Sequence, residues 1–280
     1  MKASVIIPVY NQYDSLLKTL YAFSVQNCNK EDYEVIIVDD GSTDETRLIT
    51  NQWLCEKYGI SIKIVHNTNN GRAYSRNCGV ENAIAEYIIF VDCDRVPELD
   101  FVEKHLAWKD DETVDIVIGQ SLDFFGRIDD ISEPLNWETI NRFSRIPNFL
   151  KRITKIYDSQ FKTDSSLVWM SFLVGNSSME KEVWLEIGGF DNEIKKWGFE
   201  HFDFAYRAWK KKKKFAYDCN IKNYHIPHPR EKGFYEKAIE ENIIMFSEKY
   251  PEINGNAIRD ILLTNNAVAK YEKSIFVNAN

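Results

Sequence analysis

The chain is short of several things that would have narrowed its class. No apolar run approaches the roughly 20 residues needed to cross a bilayer, and no repeat, low-complexity tract or clear linker interrupts the 280 residues. Its five cysteines, Cys28, Cys55, Cys78, Cys93 and Cys219, are odd in number and contain no C-x-x-C pair. That spacing argues against a disulfide framework or a zinc site and fits a reducing compartment. A basic start followed by an apolar stretch and a small-residue cleavage site is also missing, because residues 4–8 already begin a strand pattern. A cytoplasmic protein is expected, and peripheral contact with a membrane stays compatible with the sequence. Positive charge is in deficit as well: 43 acidic against 35 basic residues give a formal net charge of −8. This disfavours general attraction to nucleic acid or anionic lipid. The dense cationic run 210–214 reads as a solvated helix end suited to the negative pole of the helix dipole.

What is present is a chain able to fold around a large core, with 44% hydrophobic and 14% aromatic residues. Short β-branched runs at 5–9, 34–39, 61–65 and 87–92 alternate with helical spacing at 14–26, 43–58 and 72–85. The rhythm predicts βαβ units, right-handed crossovers and a mainly parallel α/β sheet flanked by helices. Ser42 or Asp44 is the expected cap of the second helix. A further strand is expected at 115–120, a partly helical excursion at 122–166, and a returning strand at 172–179. Helices follow at 181–187 and 200–211, and the pattern beyond 234 is helical. The expected division is a domain over 1–230, with a donor half 1–120 and an acceptor half 121–230, and a helical extension over 231–280 packed on it.

In open α/β sheets ligands gather beyond the carboxyl ends of the strands. Here those ends are Tyr10-Asn11, Asp39-Asp40-Gly41-Ser42 and Asp92-Cys93-Asp94. The strongest element is Phe90-Val-Asp-Cys-Asp94, an apolar strand ending in two carboxylates one residue apart. Carboxylates so placed suit a hard divalent cation, Mn²⁺ or Mg²⁺, which would compensate charge on a departing diphosphate. An isolated Asp-x-Asp more often only ends a strand.

Its context changes that balance. Ser4-Val-Ile-Ile-Pro-Val-Tyr-Asn11, Ile37-Val-Asp-Asp-Gly-Ser42, Gly71-Arg-Ala-Tyr-Ser-Arg-Asn77 and Asp92-Cys-Asp94 occur in order, and together they resemble the family-two inverting glycosyltransferases of GT-A fold. Gly188-Gly-Phe-Asp191 and Trp197-Gly-Phe-Glu200 extend the resemblance to about residue 230, on the pattern of the galactosyltransferase-like branch.

The resemblance implies a Rossmann-like GT-A sheet and transfer of a sugar from a UDP-linked donor to an acceptor hydroxyl. It implies that Pro8 and Tyr10 flank the nucleobase and that Asp39 accepts from the uracil imide N–H, a contact that does not by itself separate UDP from dTDP. It places Arg76 near the base or diphosphate, Asp92 at the ribose or metal, and Asp94 on the metal. His228 would complete the metal shell, with His225 as partner; Asn176, before Ser177-Ser178, is a candidate for the donor-sugar pocket or equally a cap of the strand end. Trp197, expected at the acceptor, and Trp169 are candidates to stack on sugar faces, although a large aromatic more often packs in a core or rim.

An inverting transfer needs a base for the acceptor hydroxyl. The resemblance offers Glu200 first, with acceptor binding as a second role, and His201 as rival, since histidine stands where the family has aspartate. Glu200, His201 and Asp203 could equally be the polar first turn of a helix. The acceptor, whether saccharide, lipid-linked or peptide, is not readable, and synthesis of a surface polysaccharide or glycoconjugate is the expected setting. Oligomeric state is equally open. One alternative is a non-catalytic nucleotide-sugar-binding subunit, suggested by His201. Another is a sugar nucleotidyltransferase, which would want a glycine-rich basic loop where Val9-Tyr10-Asn11-Gln12 stands.

Overall fold

A computed structural model describes residues 1–127, 131, 133–195, 198–228 and 231–277. The first half alternates as expected: β1 (Ala3–Val9), α1 (Tyr13–Ser24), β2 (Tyr33–Asp39), α2 (Asn51–Tyr58), β3 (Ser61–His66), α3 (Arg72–Glu81) and β4 (Tyr87–Val91). Strands β3, β2, β1 and β4 lie side by side and parallel. Every residue of β1, β2 and β4 is buried, because helices cover both faces, and this is why they read as continuous rather than alternating apolar runs. On one face Ile6, Ile36, Ile88 and Phe90 meet α3. On the other, Val5, Ile7, Ile37 and Ile89 meet α1 and α2. Helix α3 approaches so closely that a Cβ at Gly79 would stand 2.2 Å from Ile6 Cγ2.

The helix expected over 43–58 is instead two pieces. Asp44 caps a 3-10 turn, Glu45–Leu48, by accepting from the Thr46 N–H. Ile49 is extended, and Thr50 restarts the chain as α2 by accepting from Trp53 N–H.

After β4 come β5 (Arg95–Pro97), α4 (Phe101–Leu106), β6 (Ile116–Phe124), α5 (Trp137–Arg142), β7 (Ser144–Arg145) and α6 (Asn148–Ile153). Then follow β8 (Asn176–Glu180), α7 (Lys181–Ile187), α8 (Glu200–Lys210) and β9 (Phe215–His225). The chain closes with α9 (Phe234–Lys249) and α10 (Gly255–Leu263). Among the described residues one mixed sheet runs β3-β2-β1-β4-β8-β6-β9-β5, with β7 beside β6. The expected strand at 172–179 begins only at Asn176, since a 3-10 turn at Val168–Ser171 and a turn closed by Asn176 N–H to Leu173 O precede it. Strand β9 was not expected, because the lysine run before it and its polar middle hide its apolar positions. It pairs in parallel with β6, with a register shift between Gly119 and Gln120, and carries β6 to Phe124 rather than Gln120.

Helices α9 and α10 share a hydrophobic cluster with the sheet and α8. Trp169 lies fully buried there among Phe202, Tyr206 and Phe246, so it stacks on protein rings and offers no sugar-facing surface. Asp203 is also fully buried: it accepts from the Arg207, Lys249 and Tyr250 side chains and ties α9 to α8.

Candidate active site

The carboxyl ends of β1, β2 and β4 open into a cleft of about 1020 Å³ whose lining includes Pro8, Tyr10, Asp40, Arg76, Asp92, Asp94, Glu200, His201, His225 and His228. Local hydrogen bonds hold the loops that form its floor. Asn11, at φ 53°, donates its N–H to Ser42 Oγ, while its Oδ1 accepts from Thr43. The loops after β1 and β2 are thereby latched together.

The two aspartates that end β2 part company. Asp39 Oδ1 accepts from Ser42 N–H and its Oδ2 meets His66 Nδ1 at 2.8 Å, and the residue is buried outside the cleft lining. Asp40 faces the cleft, with its oxygens accepting from Asn70 and Gly71 N–H at 2.8 and 3.0 Å. Asp39, expected at the nucleobase, is thus engaged with Ser42 and His66, and of the two only Asp40 lines the cleft. Asn176 likewise does not reach the cleft. It is fully buried, donating to Gln120 O and Ile221 O and holding His105 at 3.1 Å. Trp197 lies outside the described residues.

Arg76 is 1% exposed. Its guanidinium bonds Asp92 Oδ1 at 2.8 Å and Glu200 Oε1 at 2.9 Å, bridging groups from the two halves of the chain. Burial alone would lower its pKa, but the two carboxylates outweigh this and raise it. Asp92 thus faces Arg76, with Arg95 Nε 3.6 Å from its other oxygen, and it is not part of the Asp/His cluster that could hold a metal among the described residues. A Cβ on Gly175 would come within 2.4 Å of Asp92 Oδ2, so the backbone itself forms this wall.

That cluster is Asp94, His225 and His228, whose ligand atoms all lie within 4.8 Å of one another. Pairing of Arg95 in β5 with His225 in β9, and the Ile226 N–H bond to Asp94 O at 2.8 Å, bring the segments together. Asp94 Oδ2 stands 3.6 Å from His225 Nε2 and 3.5 Å from His228 Nδ1. Asp123 Oδ1 meets His225 Nδ1 at 3.1 Å, which turns Nε2 toward Asp94. Such outer carboxylates commonly set the tautomer of a metal-binding imidazole. Burial would raise the Asp94 carboxyl pKa, but hydrogen bonding and charge from His225, with Arg95 and His228, hold it well below the usual carboxylate range. An ionised carboxylate with two imidazoles is a donor set suited to Mn²⁺ and similar borderline cations.

Glu200 opens α8 immediately after Gly198 and Phe199, both at positive φ, 91° and 66°. A left-handed phenylalanine is strained, and such strain concentrates at functional sites. The Glu200 residue is 2% exposed, and its Oε2 is buried without a hydrogen-bond partner. His201 Nδ1 stands 3.9 Å from that oxygen, an electrostatic neighbour rather than a hydrogen-bond donor. Burial raises the Glu200 carboxyl pKa, yet His201, Arg76 and Arg72 together hold it well below the usual range.

Residues 4–170, more than half of the chain, match the family described as glycosyl transferase family 2. The chain belongs to that family. Residues 155–229 also match the N-terminal domain of galactosyltransferase. This family-two glycosyltransferase is 27% identical to an uncharacterised glycosyltransferase, YfnE, of Bacillus subtilis over 90% of this chain and 71% of that protein. For several other curated relatives the matched part spans only 17% to 38% of their length.

Solved structures share its fold. TarS of Staphylococcus aureus, residues 1–349 with UDP-GlcNAc, superposes with a TM-score of 0.62 at 20% identity, covering 98% of this chain and 72% of that one. The mannosyltransferase PcManGT of Pyrobaculum calidifontis, with GDP-Man and Mn²⁺, gives 0.66 at 17% identity over 98% and 73%. The curled, mostly parallel sheet is the GT-A arrangement, and the chain is a glycosyltransferase. Among the described residues no helix is long and apolar enough to cross a membrane.

Proposed function

We propose that this glycosyltransferase moves a sugar from a UDP-linked donor to an acceptor hydroxyl, with a divalent cation and inversion at the anomeric carbon. One observation carries the reading: the Asp94, His225 and His228 cluster shares a cleft with a Glu200 whose buried Oε2 lacks a partner. A buried carboxylate oxygen in that state is costly unless a donor arrives, and the O–H of an acceptor is such a donor.

In this reading Pro8, Tyr10 and Asp40 hold the nucleobase, Asp40 accepting the imide N–H in place of Asp39. Arg76 keeps Asp92 and Glu200 in position. Asp94, His225 and His228 would hold Mn²⁺ or Mg²⁺, which supplies Lewis-acid compensation for charge growing on the diphosphate. Glu200 accepts the acceptor proton as its oxygen attacks the anomeric carbon from the side opposite the departing UDP. The UDP-GlcNAc held by TarS supports the donor class, and the Mn²⁺ held by PcManGT supports the cation.

The test is a thermal-shift panel of nucleotide sugars with and without Mn²⁺, followed by UDP release on purified protein. UDP compounds are expected to stabilise most, and chelation or Asp94→Ala to remove most of that gain. Greater stabilisation by GDP-sugars would refute the donor class. UDP binding with neither hydrolysis nor transfer, across acceptors, would instead identify a binding subunit.

A further inference from the structure

The cleft changes chemistry along its length. Toward the strand ends its walls are Asp40, Arg72, Arg76 and Asp92, whereas on the side formed by the C-terminal helices they are apolar. Tyr235 and Ile239, one turn apart on α9, line it together with Leu262 of α10, Phe149 of α6, Leu173 and Phe125. This wall adjoins the proposed base: Phe199 packs on Phe246 of α9 at 5.7 Å, and a Cβ on Gly198 would lie 3.6 Å from Asn242 Nδ2. At its other margin Phe125, 70% exposed, follows the strand end that carries Asp123, the partner of His225.

The volume of about 1020 Å³ lies at the upper end of the roughly 300–1,000 Å³ that single-ligand sites occupy, so it has room for more than a donor. Sugars are recognised through hydrogen bonds to their hydroxyls. Apart from the Tyr235 hydroxyl, the wall residues Leu173, Ile239, Leu262, Phe125 and Phe149 have no side-chain donor or acceptor to give, and a hydroxyl dehydrated against those five would lose its water bonds unreplaced.

We infer that the acceptor carries an apolar, alkyl-type aglycone beside the hydroxyl that it presents to Glu200, and that this wall seats it. The inference rests on the glycosyltransferase reading above and adds the acceptor class.

Calorimetric titration of the full chain, loaded with UDP and Mn²⁺, with methyl, butyl and hexyl β-glucosides below their micellar concentrations tests it. At about 0.8 kcal/mol per buried methylene, Kd should fall about fourfold per CH₂ along the series. Phe125→Ser, at a site exposed enough to spare the fold, and Leu262→Ser should both flatten that dependence. A flat series in the native chain, a slope unchanged in both variants, or a disaccharide binding more tightly than hexyl glucoside would overturn the acceptor class. UDP affinity, read separately before each titration, keeps the two claims apart. A flat series with UDP bound removes the aglycone alone, while failure of UDP to bind removes the underlying reading too.

Discussion

Replacing Arg76 with methionine tests the bridge on which both halves of the site depend. The guanidinium is buried and neutralises Glu200, which is equally buried, whereas Asp92 is partly exposed and keeps Arg95 within 3.6 Å. The cost of Arg76→Met therefore falls mainly on Glu200. Removing one partner of a buried ion pair destabilises by about 3–5 kcal/mol, because the remaining charge is uncompensated. At the roughly 2–4 °C per kcal/mol typical of domains of 150–250 residues, melting should fall by about 6–20 °C. Glu200 escapes part of the penalty by taking a proton, so the rate near neutral pH should collapse and partly return as pH rises. The decisive measurement is a double-mutant cycle with Glu200→Gln. The Arg76→Met/Glu200→Gln protein should regain much of the lost stability, since no bare charge remains, yet stay inactive. Melting within about 1 °C of the native chain for the single variant, or no recovery in the double variant, would refute the idea that Arg76 exists to compensate Glu200.

Further outcomes are expected at neighbouring groups. Because Arg76, Arg72 and His201 hold the Glu200 carboxyl well below the usual carboxylate range, this base stays ionised as pH falls through that range. At saturating Mn²⁺ Glu200 should consequently contribute no acid limb to kcat/KM above about pH 5, the range in which an ordinary glutamate near 4.3 would begin to protonate; a limb there that His201→Gln abolishes would transfer the role to His201. Asp40→Asn should weaken UDP binding about 10- to 150-fold, the equivalent of a hydrogen bond to a charged group at about 1.5–3 kcal/mol. Asp39→Asn should instead lower the melting temperature and leave the Kd for UDP nearly unchanged, and the reverse pattern by calorimetry would restore Asp39 to the nucleobase. Asp123→Ala, which frees the His225 ring, should raise the Kd for Mn²⁺ about 10- to 100-fold, and an unchanged Kd would detach His225 from the cation.

The strand runs 5–9, 34–39 and 87–92 were legible because a short apolar run followed by polar residues, acids after the last two, is a local pattern. The same pattern pointed to Asp94, whereas Glu200, His225 and His228 were expected only from the resemblance of their segments to the galactosyltransferase-like branch. Which of two neighbouring aspartates faces a ligand was not legible. Side chains alternate along a strand, and only the pairing of β2 with β3 engages Asp39 with His66 and leaves Asp40 to the cleft. Asn176 reads like a pocket residue, yet the antiparallel return of β8 buries it against carbonyls of β6 and β9. Strand β9 was hidden by its charged prelude, and with it the contact of Asp123 with His225.

Composition, order of elements and the polar strand ends are thus properties of local sequence and were enough to predict the fold class, while the family was expected from the resemblance of the motifs. The bridge from Arg76 to Glu200 spans 124 positions, and the apolar wall draws on α6, α9, α10 and two loops. Neither has a local signature, since each exists only where non-adjacent elements pack, and packing alone decides which charge is compensated and which apolar face is left open.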